Sequence, residues 1–129
     1  MADQGSKPPG LPVVLLVDDE EALIDSISRV LKDSFELHTA ATTAEAEELL
    51  AQRRFDVIVC DHMLPGEQGM DFLVRMMETL PSMRRILITG YMNAEFISRC
   101  TVIAGLSVCL VKPVRASVIA DAIRAALAS

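Results

Sequence analysis

The chain has 129 residues, 51% of them apolar and 23% charged, and a formal net charge of −6. That size suits one domain with its own core, and the composition is that of a globular rather than a disordered chain. The acidic balance argues against direct nucleic-acid binding, which needs clustered Lys and Arg, and no apolar stretch approaches the ~18 residues of a membrane span.

Residues 1–11 hold Gly, Pro, Ser and Lys without the apolar segment of a signal peptide, and read as a flexible lead-in. Val13–Val17 then forms an apolar run that stops at Asp18-Asp19. Leu23, Ile27, Val30 and Leu31 follow at helical spacing. Phe35–Ala40 is a less apolar strand carrying His38 and Thr39, and so an expected sheet edge. Thr42-x-x-Glu45 is a capping box for a second helix, which turns Leu49 and Leu50 inward.

Val57–Cys60 runs into Asp61, and Pro65-Gly66 and Gly69 mark the turn after it. A third helix is expected to bury Phe72, Leu73, Met76, Met77 and Leu80 and to stop before Pro81. Ile86–Ile88 runs into Thr89, and Asn93 caps a helix that ends near Gly105. That helix has two apolar sides: Ala94, Ile97 and Thr101 on one, Phe96, Cys100 and Ile103 on the other. Val108–Val111 runs into Lys112, Pro113 suits the first turn of the last helix, and Val118, Ile119, Ala122, Ile123 and Leu127 face the core. Arg53-Arg54 and Arg84-Arg85 precede strands and read as solvated ends. Cys60, Cys100 and Cys109, with no Cys-x-x-Cys spacing, read as reduced, mostly buried thiols of a cytoplasmic protein.

Five strand–helix units with short connections predict a parallel sheet flanked by helices, and uniformly apolar runs predict strands covered on both faces. Spacing alone leaves the strand order open. Ligand sites in such sheets lie at the carboxyl ends of the strands. Asp18, Asp19, Asp61, Thr89 and Lys112 are therefore expected at one edge. Three carboxylates there repel one another unless a cation intervenes, and hard oxygens with room for water suit Mg²⁺. The set fits phosphoryl chemistry. His62 reads as a loop side chain turned away from Asp61, and the seven Met residues as core filler.

From residue 12 to 128 the chain resembles the receiver domain of bacterial two-component response regulators. The segments that carry this are Val13-Val14-Leu15-Leu16-Val17-Asp18-Asp19-Glu20, Asp56-Val57-Ile58-Val59-Cys60-Asp61, Leu64-Pro65-Gly66, Leu87-Ile88-Thr89-Gly90 and Val111-Lys112-Pro113. The resemblance implies a flavodoxin-like (βα)5 three-layer sandwich with strand order 2-1-3-4-5. It implies that Asp61 accepts a phosphoryl group from a sensor histidine kinase or phosphotransfer protein. Asp19 would ligate Mg²⁺ directly, Asp18 mostly through water, and Met63 through its carbonyl. Thr89 and Lys112 would contact the phosphoryl oxygens, and the Lys112–Pro113 bond would be cis. The domain would be no enzyme beyond its own phosphorylation and dephosphorylation. It would switch a surface of helix 4, strand 5 and helix 5 to control an output domain, a downstream protein or a homodimer.

Two features depart from that family. Cys109 stands where a Tyr or Phe is usual, and the Thr89-to-Lys112 segment is one residue longer. Met63 and Tyr91 are bulky neighbours of the acceptor edge and point to a long-lived phosphorylated state. A phosphatase of the haloacid dehalogenase kind would want an acid at Met63, and Asp18-Asp19-Glu20-Glu21 would repel a flavin phosphate. A pseudo-receiver, binding partners without being phosphorylated, is the remaining alternative, supported only by Cys109.

Overall fold

The apolar runs fold as strands of one parallel sheet. The structure, a computed structural model, describes residues 10–90 and 93–129. In chain order the elements are β1 (Val13–Val17), α1 (Glu21–Leu31), β2 (Glu36–Ala40), α2 (Thr43–Gln52), β3 (Val57–Asp61), α3 (Gly69–Thr79), β4 (Arg84–Thr89), α4 (Ala94–Ile103), β5 (Val108–Val111) and α5 (Ala116–Ala128). The strand order is β2-β1-β3-β4-β5. This is the flavodoxin-like sandwich implied by the resemblance. Residues 1–9, most of the expected N-terminal lead-in, and Tyr91 and Met92 lie outside the described residues.

Successive residues of a strand serve opposite faces, so a sheet covered on both sides needs apolar residues at every position. Leu15, Val17, Ile58, Cys60 and Leu87 join Phe72, Leu73 and Cys100 in the core beneath α2, α3 and α4. Val14, Leu16, Val57, Val59, Ile86 and Ile88 join Ile27, Leu31, Ile119 and Ile123 beneath α1 and α5. The outer strands differ. β2 carries half-buried polar residues, as expected of an edge, and β5, expected to be covered on both faces, is half-buried throughout because it is the other edge.

Register sets where each strand delivers its last residue. Val17 lies opposite both Ala40 and Cys60, so Asp18 and Asp61 leave neighbouring strands in the same row. Ile88 lies opposite Asp61 and Val111 opposite Thr89, which puts Thr89 one step further along and Lys112 two.

Both predicted caps form. Thr42 Oγ1 accepts the Glu45 N–H at 3.1 Å, while Glu45 Oε1 accepts that of Ala41 at 3.0 Å. Asn93 Oδ1 accepts the Phe96 N–H at 3.0 Å. Helix α4 closes on Gly105, whose φ of 58° lets the Gly105 N–H reach Val102 O and the Leu106 N–H reach Thr101 O.

Several expectations fail at element ends. Leu80 and Val118 are exposed, since each sits where its helix turns away from the sheet. In α4 the inward side is Phe96, Ile97, Cys100 and Thr101, continuing to Ala104, and Ile103 faces water with Val102. Pro113 precedes α5 by three residues; its bond to Lys112 is cis.

Arg84 and Arg85 are strand residues, not a solvated end. Arg85 is 8% exposed. Its guanidinium donates to Ala104 O at 2.9 Å, Met83 O at 2.6 Å and Gly105 O at 3.2 Å. These acceptors include carbonyls at the C-terminal end of α4, where the helix dipole is negative. Burial holds its pKa below the usual arginine value, and Arg84 adds to this. Arg85→Met keeps the bulk but strips the donors from two buried carbonyls. It should lower unfolding free energy by about 2 kcal/mol, read from the urea midpoint, with faster amide exchange in residues 100–106; an unchanged midpoint would refute the anchoring role.

Candidate acceptor site at the carboxyl edge

The edge formed by β1, β3, β4 and β5 gathers the expected side chains. Carboxylate oxygens of Asp18, Asp19 and Asp61 all lie within 4.8 Å of one another. Asp18 and Asp61 are 1% and 3% exposed, whereas Asp19 opens to solvent. The row shared by β1 and β3 explains the pairing of the two buried acids, and the start of α1 explains the third.

Asp18 is held in place by its own turn: Oδ1 accepts the Glu20 N–H at 2.9 Å. Burial raises its pKa above the ordinary carboxylate range. The Glu20 N–H pulls the other way, Asp61 pushes up further, and Lys112 offsets part of this.

Lys112 Nζ lies 3.0 Å from Asp61 Oδ1 and 3.9 Å from Glu20 Oε1. The Asp61 oxygen has no well-directed hydrogen bond, so the contact is an ion pair rather than a saturated site. Burial lowers the Lys112 pKa, but the close contact and charge of Asp61, then Asp18 and Glu20, outweigh it and leave the value raised. Glu20 as a second partner of Lys112 escapes sequence reasoning, because an acid beside Asp18-Asp19 reads as one more helix-start charge.

Thr89 is buried at the end of β4, and its carbonyl accepts the Lys112 N–H at 2.8 Å, which ties β4 to the residue after β5. Met63 lies on the loop after β3 and is 60% exposed. His62 is a buried residue rather than a loop surface one. Its Nδ1 accepts the Met70 N–H at 3.4 Å, and its ring meets Phe96 edge-on at 5.5 Å. Burial lowers its pKa against the pull of Asp61 and Asp71, favouring the neutral ring.

Gly69 is the site's least legible residue. It opens α3 directly behind β3, where a Cβ would stand 2.1 Å from Asp61 O. Its N–H bonds His62 O at 2.8 Å. The sequence marks a turn there but not that the helix backbone touches Asp61.

Crowding buried carboxylates costs stability. With its pKa raised, Asp18 binds a proton more readily folded than unfolded. The metal-free fold therefore loses stability as pH rises through the interval from the ordinary carboxylate value to the raised one. Asp18→Asn keeps an acceptor for Glu20 and removes the charge. In EDTA at neutral pH it should be more stable than the parent by about 1–3 kcal/mol, with the gap closing under acid; equal or lower stability in thermal melts at both pH values would contradict this.

Residues 14–124 match the family described as response regulator receiver domain. The hydrogenase transcriptional regulatory protein HoxA of Cupriavidus necator is 35% identical over 114 residues, covering 88% of this chain and 24% of that regulator. The chain thus spans about a quarter of the length of that relative. Among solved structures, a CheY-like response regulator receiver domain from Methanospirillum hungatei superposes with a TM-score of 0.84 at 29% identity, covering 92% of this chain and 95% of that one. The signal receiver domain of an HD domain-containing protein from Pseudomonas fluorescens gives 0.83 at 30% identity, covering 91% and 94%. Sheet order, acidic edge and sequence match agree: the chain belongs to the response regulator receiver domains of two-component signalling.

Proposed function

We propose that Asp61 is the phospho-acceptor of this receiver domain. The observation that carries this is one carboxylate at the end of a central strand, nearly out of water, with an ammonium at 3.0 Å and two further carboxylates within 4.8 Å. An Asp61 oxygen attacks the phosphorus of a phosphohistidine, a P–O bond forms as the P–N bond breaks, and the imidazole departs with its electron pair. Charge gathers on the equatorial oxygens of the transferring group. Lys112 stands where it neutralises part of that charge, and Thr89 is the hydroxyl available to the acyl phosphate once formed.

The donor set fits Mg²⁺: hard carboxylate oxygens, one of them buried without a directed hydrogen bond. Asp19 and Asp61 would hold the ion directly with the Met63 carbonyl, and Asp18 through water. When bound, it supplies the positive charge that three carboxylates and an incoming phosphoryl group require.

In this reading the domain acts in the cytoplasm, in keeping with its three free thiols. It receives its phosphoryl group from a sensor histidine kinase or phosphotransfer protein and passes the state to an output domain, a downstream protein or a second copy through α4, β5 and α5. At the position usually filled by a rotating ring, Cys109 is half-buried in the same core as Cys100 and Phe96. The signal then leaves through the segment after Thr89 and helix α4. Met63 supports slow loss of the phosphoryl group by crowding the approach of water; its expected partner in this, Tyr91, is not among the described residues.

Wild-type protein given acetyl phosphate and Mg²⁺ should gain one phosphoryl mass, and Asp61→Asn none; a variant labelled at the wild-type rate would sink the assignment. Mg²⁺ should bind in the millimolar range. Asp19→Asn should weaken it by about tenfold and Asp18→Asn by less. An NMR titration giving both variants the parent affinity would count against the acidic cluster as the metal site.

A further inference from the structure

We propose that Glu67 is a positioning residue for the acceptor loop, clamped by Arg75 of α3, which Glu47 of α2 holds in turn. This rests on the reading of Asp61 as phospho-acceptor. The segment 62–68 connects β3 to α3 and carries Met63. Its two ends are fixed by backbone bonds, His62 N–H to Ile88 O at 2.8 Å and Gly69 N–H to His62 O at 2.8 Å. Between them the chain is built to bend. Pro65 and Gly66 are exposed, Gly66 has a φ of 87°, and Leu64 is only partly buried against the core.

Glu67 supplies the missing restraint. Arg75 Nη2 donates to Glu67 Oε1 at 2.7 Å and Arg75 Nε to Oε2 at 3.0 Å. This two-pronged match of guanidinium to carboxylate fixes direction as well as distance. Arg75 is itself held, by Glu47 Oε2 at 3.1 Å and by the Phe72 ring, whose centroid lies 5.2 Å from the guanidinium carbon. Two helices thus hold one loop carboxylate, α3 through Arg75 and α2 through the grip of Glu47 on Arg75.

Energetics separate this role from simple stabilisation. Arg75 and Glu47 are exposed enough for solvent to screen the network, and such pairs add about 0–1 kcal/mol to folding. A loop fixed near Asp61 is a different matter, because a ligand-bearing segment that wanders loses affinity while the fold stays intact. Two substitutions separate charge from position. Glu67→Ala and Glu67→Gln both delete a negative charge near the acidic edge, but Gln keeps an oxygen for Arg75.

The test uses the whole chain with Mg²⁺ titrations, acetyl phosphate labelling and amide exchange on wild type, Glu67→Ala, Glu67→Gln and Arg75→Lys. Glu67→Ala should melt within about 2 °C of wild type yet bind Mg²⁺ about tenfold more weakly. Its labelling rate should fall at low Mg²⁺, recover at saturating Mg²⁺, and be accompanied by faster exchange in residues 63–68. Glu67→Gln should regain most of the affinity, and Arg75→Lys, which loses the fork but keeps the charge, should resemble Glu67→Ala. Unchanged affinity and exchange in Glu67→Ala, with a working wild type, would overturn the clamp alone. Equal losses in the Ala and Gln variants would make the effect one of charge and overturn it too. A wild type that neither binds Mg²⁺ nor takes up phosphoryl would overturn the reading of Asp61 and, with it, this role for Glu67.

Discussion

Two carboxylates almost entirely withdrawn from water, Asp18 and Asp61, share one neighbouring ammonium, Lys112. Isolated charges of one sign are not tolerated in such a place, so the surrounding structure has to hold them there by force of packing. That force comes from β1 and β3, the two strands that deliver them. Both are central, and Val14, Leu15, Val17, Val57, Ile58, Val59 and Cys60 are fully buried between the two helical layers. The hydrophobic core thus offsets a local electrostatic penalty at its rim, the usual relation between a functional site and the scaffold bearing it.

Lys112 makes the balance asymmetric. It reaches Asp61 from the edge strand side, and its position depends on Thr89 O accepting its N–H. A shift of the β4 end therefore moves the only ammonium that touches Asp61 among the described residues. Threonine and lysine are in this sense one mechanical unit, joined through backbone rather than through their side chains. The α3 side is more rigid, since Gly69 lets helix backbone sit against the Asp61 carbonyl where any side chain would collide.

The sheet and its acidic edge were legible because they rest on local patterns: apolar runs of fixed length, each ended by a polar residue. The register that brings Asp18 beside Asp61 follows once strand order is known. Arg85 was misread because arginine within Arg84-Arg85 looks solvated; its burial depends on carbonyls of residues 104 and 105, which no nearby sequence announces. Helical phase turns Leu80 and Val118 inward, but phase holds through a helix and fails at its ends, where the neighbouring layer stops. Glu67 and Arg75 are eight positions apart across a turn, and only the folded loop brings them together. Gly69 carried a turn signal, but its contact with Asp61 belongs to tertiary structure alone.

Arg85 also makes α4 a lever. Its guanidinium grips the carbonyls of Ala104 and Gly105, so the fulcrum lies at the far end from the acidic edge. The Asn93 end is joined to Thr89 through a short segment, and Phe96 beside it packs edge-on against His62. Along a helix about 15 Å long, a tilt of about ten degrees around that fulcrum sweeps the Asn93 end through roughly 2.5 Å, while Val102 and Ile103 beside it hardly travel. Any tilt about the Arg85 end would thus be graded along one helix, smallest at its apolar end and largest at its polar one.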